Sequence, residues 1–166
     1  MSAAGDANDG AEALVQNSLD GLAPKFRDAV EQSLADCDDA GLDAYVYESL
    51  RSDELQKLYY ARGRVPVYDQ EKIVTNAKSA LYGFHFFALA VDVISKADRW
   101  EVSDDWRKQV STIFKKNACN AGADWPHPDT PHYYWGKCPP SPSDEHRRIY
   151  AQEGLDALWD QLGAYE

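Results

Sequence analysis

Apolar positions along the chain follow two rhythms. Between Leu19 and Cys37, the residues Leu22, Phe26, Val30 and Leu34 recur every four positions, the spacing of one helix face, and Gly41 stops the run. Ala44 to Glu48 is instead aromatic and β-branched, which predicts a short strand. Ser52-Asp53-Glu54 offers an N-cap with acids in the first turn, opening a helix that closes near Gly63. Pro66 to Thr75 reads as loop and short extended structure. Leu89 to Ile94 predicts a buried strand, although Asp92 sits inside it. Ser103-Asp104-Asp105 caps a further helix with Trp106, Val110, Ile113 and Phe114 on one face. Asn120 to Pro131 reads as a loop, His132 to Trp135 as a strand, and Pro139 to Pro142 as a stiff turn. Ser143 then caps helical sequence to Leu162, interrupted at Gly154. Helices mixed with short, separated strands predict an α+β domain, a small antiparallel sheet with flanking helices.

Composition adds boundaries to that picture. The chain has 166 residues, 44% hydrophobic and 12% aromatic, enough for one domain with a real core. Its 17 Lys and Arg against 28 Asp and Glu give a net charge of −11, the wrong sign for binding nucleic acid or an anionic membrane. Ten acids and two bases fall in residues 1–43, so −8 of that charge is N-terminal. Residues 1–17 are expected to be a flexible acidic lead-in, and 18–166 the functional domain. The first ten residues carry neither a basic nor an apolar segment, so they do not read as a secretory signal, and synthesis is expected in the cytoplasm. No apolar run approaches the roughly 20 residues of a membrane span, and a monomer is expected. Three cysteines without a paired spacing argue against a disulfide framework, with a Cys119–Cys138 bridge left open.

The candidate chemistry lies with histidines and carboxylates. His85 precedes Asp92 by seven residues, and Asp129 precedes His132 by three. An ionised Asp92 inside an apolar strand costs on the order of several kcal/mol unless it is paired, hydrogen-bonded or metal-bound. Two imidazoles and one carboxylate are a common ligand set for catalytic zinc, with a further carboxylate available to take a proton from water. His85, Asp92 and His132 would be the ligands and Asp129 the base. The same residues also read as a core histidine, a capping aspartate and an aspartate opening a turn before Pro131, and spacing alone leaves both readings open.

The segments Gly83-Phe84-His85-Phe86-Phe87-Ala88-Leu89-Ala90-Val91-Asp92 and Asp129-Thr130-Pro131-His132 resemble the S-x-H-x-x-G-x-A-x-D and carboxylate-x-x-H patterns of a zinc peptidase family. This VanY-like family comprises D-Ala-D-Ala carboxypeptidases and L-Ala-D-Glu endopeptidases, many bacteriophage endolysins among them. Glu48-Ser49-Leu50-Arg51-Ser52, followed by Gln56 to Tyr59, resembles its arginine-bearing strand-to-helix turn, and Trp125, Trp135 to Cys138 and Ser141 to Asp144 extend the similarity over residues 20–162. The resemblance implies that His85, Asp92 and His132 hold Zn2+, that Asp129 is the general base, and that Arg51 meets the substrate carbonyl or developing oxyanion. Gln56, Trp135 and His127 are candidate substrate contacts. The implied function is hydrolysis of the peptidoglycan stem peptide, at the L-Ala–D-Glu bond, by a phage endolysin held in the host cytoplasm until the membrane is permeabilised. The rival readings are a D-Ala-D-Ala carboxypeptidase and a non-catalytic wall-binding module of the same fold. Gly83 replaces the family's serine and Ala88 its glycine; the added methyl is expected to exclude positive φ at 88.

Overall fold

A computed structural model describes residues 11–61 and 79–166. The expected loop at Pro66–Thr75 and the close of the second helix near Gly63 lie outside them. Helix α1 (Pro24–Asp39) begins five residues later than the apolar spacing suggests, because Pro24 takes the first helical turn, where its missing N–H is not needed. Strand β1 (Ala44–Glu48) leads into α2 (Asp53–Ala61), capped by the Ser52 hydroxyl, which accepts the Leu55 N–H at 3.2 Å. Strand β2 (Ala90–Ser95), helix α3 (Asp104–Lys116), strand β3 (Cys119–Ala121) and strand β4 (His132–Trp135) follow. Helices α4 (Asp144–Glu153) and α5 (Leu155–Gln161) are separated at Gly154, whose φ of 95° breaks the helix as expected. At the start of the stretch expected to be loop (Asn120–Pro131), Cys119–Ala121 pairs with Tyr133–Trp135 as an edge strand, and the Asn120 side chain donates to the Gly136 and Cys138 carbonyls.

The four strands form one antiparallel sheet in the order β1-β2-β4-β3. Opposed residues share a face, so the register divides the sheet by chemistry. Val46 opposes Val93, and Val91 opposes Tyr133; this face packs on α1 and α3, with Phe114 stacked on Tyr133 at 4.3 Å. Asp92 opposes both His132 and Glu48 on the other face. Glu48 reaches that face because the register shifts by one between Val46 and Glu48, a bulge that absorbs Tyr47.

Residues 14–16 of the N-terminal segment are tied to the domain before α1 begins. Ala11–Leu14 form a 3-10 turn, Leu14 and Val15 pack near Leu55, Tyr59 and Tyr47, and the Gln16 carbonyl accepts the Ser49 N–H at 2.7 Å. Asp43 joins three elements by accepting from the Ser95 hydroxyl at 2.8 Å, the Ala97 N–H at 2.9 Å and the Trp106 indole at 3.1 Å. Those hydrogen bonds, the Ala97 one foremost, hold its carboxyl below the ordinary range. The stabilisation is complete above the unfolded value of about 3.9 and is lost as pH falls through the depressed folded value. Asp43→Ala is therefore expected to cost about 2 kcal/mol near neutral pH, read by urea denaturation, and less in acid.

Ala88 adopts φ 60°, against the expectation that its methyl would exclude the left-handed region. That conformation costs an alanine about 1–2 kcal/mol, and the surrounding bonds impose it. Ala88 N–H donates to the His85 carbonyl, Leu89 N–H to Phe84, and the Ala88 carbonyl accepts from Ala23. Cys37, Cys119 and Cys138 are free and buried, so the open Cys119–Cys138 bridge is absent; burial pushes both of those thiols up to about 12.

Candidate metal centre and active site

The tight turn ended by Ala88 delivers His85 to the polar face of the sheet. Its Nδ1–H donates to the Ser49 carbonyl at 2.9 Å, which fixes the tautomer and leaves the Nε2 lone pair facing Asp92. Asp92 Oδ1 lies 3.3 Å from His85 Nε2 and 3.4 Å from His132 Nδ1. All three residues are buried, and their donor atoms lie within 4.8 Å of one another. A tetrahedral centre with bonds of about 2.0–2.1 Å separates its donors by about 3.3–3.4 Å, so the spacing and chemistry of this group suit zinc. Burial opposes the Asp92 charge, but the two imidazoles and Arg51 outweigh it and hold the carboxyl well below its usual range.

Asp129 is partly buried three residues before His132, in a loop hung from one glycine. The Gly122 carbonyl accepts both the Asp129 N–H at 3.0 Å and the Trp125 N–H at 3.2 Å, and His132 N–H returns to the Asp129 carbonyl. Burial and the neighbouring Asp92 charge push the Asp129 carboxyl upward, against the pull of His132, Arg51 and His85. A carboxyl raised in this way is suited to accept and release a proton.

A Cβ at Gly122 would stand 2.5 Å from the Asp129 carbonyl oxygen and 3.0 Å from His132 Cβ. Backbone cannot swing aside as a side-chain tip can. Gly122→Ala is expected to shift the Asp129–His132 turn, costing about 1–3 kcal/mol in stability and about 10- to 100-fold in turnover. Thermal melting and peptide hydrolysis on the same preparation check both.

Arg51 is buried at the start of the β1–α2 turn. It gives Nε to Glu48 Oε1 at 3.0 Å, Nη2 to the same oxygen at 2.5 Å and to Asp92 Oδ2 at 3.5 Å, and Nη1 to Gln56 Oε1 at 2.9 Å. Its guanidinium lies over the Tyr59 ring, 4.7 Å from the centroid. Burial works against the charge, and Glu48 and Asp92 more than restore it. Gln56, read in the sequence as a substrate contact, is buried and serves as the acceptor that orients Arg51.

One further expectation about a site residue changes. Trp135 does not face the site: period-two alternation sends it to the core side with Tyr133, where its indole donates to the Leu162 carbonyl at 2.7 Å and its ring meets Phe26 edge-on. His127 is exposed in the Gly122–His132 loop, outside the His85–Asp92–His132 group. The aromatic wall beside the ligands is instead Trp125, whose ring centroid is 5.1 Å from that of His132 and whose indole donates to the Tyr134 hydroxyl at 3.1 Å. His146 accepts the Ser143 N–H in a capping box at the start of α4 and rests against Phe84.

Sequence reasoning passed over Glu48 and Gly122. An acid closing a strand reads as solvated, and only the pairing register reveals the bulge that turns Glu48 inward.

No protein-family model matches the chain, and no curated protein matches it. Solved structures do. The vancomycin-resistance D,D-pentapeptidase VanY, an E175A mutant in complex with Zn(II), superposes with a TM-score of 0.56 over 87% of this chain and 88% of its own at 12% identity. The LD-carboxypeptidase LdcB gives 0.54 over 87% of this chain and 70% of its own, also at 12% identity. The L-Ala D-Glu endopeptidase ChiX of Serratia marcescens gives 0.49 at 19% identity, over 78% of this chain and 95% of its own. The architecture of this chain, a four-stranded antiparallel sheet with its polar face carrying a His-Asp-His group, is the fold of the VanY-like zinc peptidases.

Proposed function

We propose that this protein is a zinc peptidase of bacterial peptidoglycan, an endolysin-type enzyme that cuts the stem peptide at the L-Ala–D-Glu bond. The observation that carries the reading is the buried His85–Asp92–His132 group, with Asp92 Oδ1 3.3 and 3.4 Å from the two imidazole nitrogens and Asp129 within its field. Zinc bound there supplies a Lewis acid and brings the pKa of water toward about 7. The remaining work falls to the chain. Asp129 takes the proton of the attacking water and returns it to the leaving amine. Among the described residues, Arg51 spends its Nε–H, both Nη2 hydrogens and one Nη1 hydrogen on Glu48, Asp92 and Gln56, leaving one Nη1 hydrogen to meet charge developing on the carbonyl oxygen. The bond from His85 Nδ1–H to the Ser49 carbonyl turns its Nε2 toward Asp92 and the metal position.

Synthesis in a host cytoplasm, with access to the wall after the membrane is opened, belongs to this reading. No helix among the described residues is long and apolar enough to cross a membrane. Mass spectrometry of muropeptides digested by the zinc-loaded protein tests the proposal. Release of the whole stem peptide beyond L-Ala is expected. Loss of only a terminal D-Ala would instead favour carboxypeptidase action, the chemistry named for LdcB. An intact digest would refute both.

A further inference from the structure

His85 is held at two points by the segment between β1 and α2. Its Nδ1–H donates to the Ser49 carbonyl at 2.9 Å, and its own carbonyl accepts the Arg51 N–H at 3.4 Å. That segment is itself fastened from outside, by a residue 33 positions earlier in the chain. The Gln16 carbonyl accepts both the Ser49 N–H at 2.7 Å and the Ser49 hydroxyl at 3.2 Å. One acceptor therefore ties down the backbone and the side chain of the residue that orients the imidazole.

Leu14 and Val15 seat Gln16 in place. Both pack on Leu55 and Tyr59, and Val15 also meets the Tyr47–Ile94 pair. Tyr59 carries the Arg51 guanidinium over its ring, so these residues stand behind the cation as well as the imidazole. What they hold is buried, whereas Leu14 and Val15 are half-buried and Gln16 is exposed. The main core between the sheet and helices α1 and α3 contains none of the three. The segment can leave without opening that core.

A hydrogen bond to the far nitrogen of a metal-binding imidazole sets its direction, and disturbing such a partner typically costs about 10- to 100-fold in metal affinity. We propose that Leu14–Gln16 form a strap that positions His85 for the metal through Ser49, so that lifting the strap weakens zinc binding while the domain stays folded. The inference rests on zinc at His85, Asp92 and His132, and not on which bond the protein cuts.

The test uses the full chain. Leu14→Gly/Val15→Gly removes both anchors, adds no charge and raises the entropy cost of holding the segment. Zinc affinity, measured by competition with a chelator well below the melting transition, is expected to fall about tenfold. Amide hydrogen exchange of the metal-free variant is expected to quicken at Ser49 and to keep wild-type protection in α1 and α3. Leu14→Ile/Val15→Ile keeps apolar anchors and is expected to retain wild-type values in both measurements. Asp43→Ala supplies the contrast of a destabilised protein whose strap is untouched, and its zinc affinity is expected to match wild type.

A double-glycine protein with a fast-exchanging Ser49 amide and wild-type zinc affinity would overturn the inference, because the strap would then be packing alone. An equal loss of affinity in Asp43→Ala would also overturn it, by tracing the effect to stability. So would a Ser49 amide that already exchanges freely in the wild type, a result that needs no variant to fold. Wild type that binds no zinc would remove the metal reading and this inference with it. Zinc binding without hydrolysis of muropeptides would remove the peptidase reading and leave the strap standing.

Discussion

Asp129→Asn is expected to abolish peptide hydrolysis, by about 10²- to 10⁴-fold, while zinc content and the melting transition stay at wild-type levels. The two halves of that expectation have different physical sources. The three donors of the metal group are His85, Asp92 and His132, so the substitution removes none of them. Asn preserves the shape of Asp129 and its backbone bonds to Gly122 and His132, but it can no longer accept a proton from water. It also relieves the like charge that Asp92 imposes on a carboxylate already penalised by burial, so stability is expected to hold or rise slightly. Measuring zinc by absorption spectrometry beside wall-turbidity loss separates the outcomes. Full activity in Asp129→Asn would refute the base assignment, and loss of zinc would mean that Asp129 serves the metal instead.

Arg51→Met should be among the most destabilising substitutions in the molecule, at about 3–5 kcal/mol, because it strands buried charge rather than because it removes an attraction. Glu48 and Asp92 are 1% and 2% exposed and both lean on the guanidinium. Without it, Glu48 loses both of its hydrogen bonds, Gln56 Oε1 loses its donor, and the face of Tyr59 loses its cation. The double variant Arg51→Met/Glu48→Gln removes the stranded charge along with its partner and is expected to recover a large part of the loss. A chemical-denaturation cycle over the four proteins measures this. Additive effects would show that Glu48 and Arg51 are not an energetic unit.

Much of this arrangement was legible from residues. The helix spacing, the serine caps at 52, 103 and 143, and the break at Gly154 each rest on local chemistry that a sequence displays directly. Asp92 was legible for a different reason: a charge inside an apolar strand demands partners, and His85 and His132 are those partners. What stayed hidden depends on pairing between distant segments. Cys119–Ala121 is a strand only because β4 lies beside it. Glu48 faces the site only because of a one-residue register shift, and Gly122 matters only because two backbones pass within contact of it. Trp135 was misplaced although the signal was present, since alternation along His132-Tyr133-Tyr134-Trp135 already sends positions 133 and 135 away from 132. Ala88 shows the opposite limit: its residue type argues against the conformation, and tertiary hydrogen bonds override it.

The sheet order carries a consequence for folding. Chain leaving β2 runs through α3 and β3 before β4 returns to pair with β2, so His132 meets Asp92 only after that long excursion has closed. Closing such a loop costs entropy that local contacts cannot offset. An ion held by His85, Asp92 and His132 fastens the two ends of the excursion together, and by mass action it stabilises only molecules in which the closure is complete. At a thousandfold excess over its dissociation constant the contribution is about 4 kcal/mol, comparable to much of a small domain's stability. Metal supply would then regulate how long the folded protein survives.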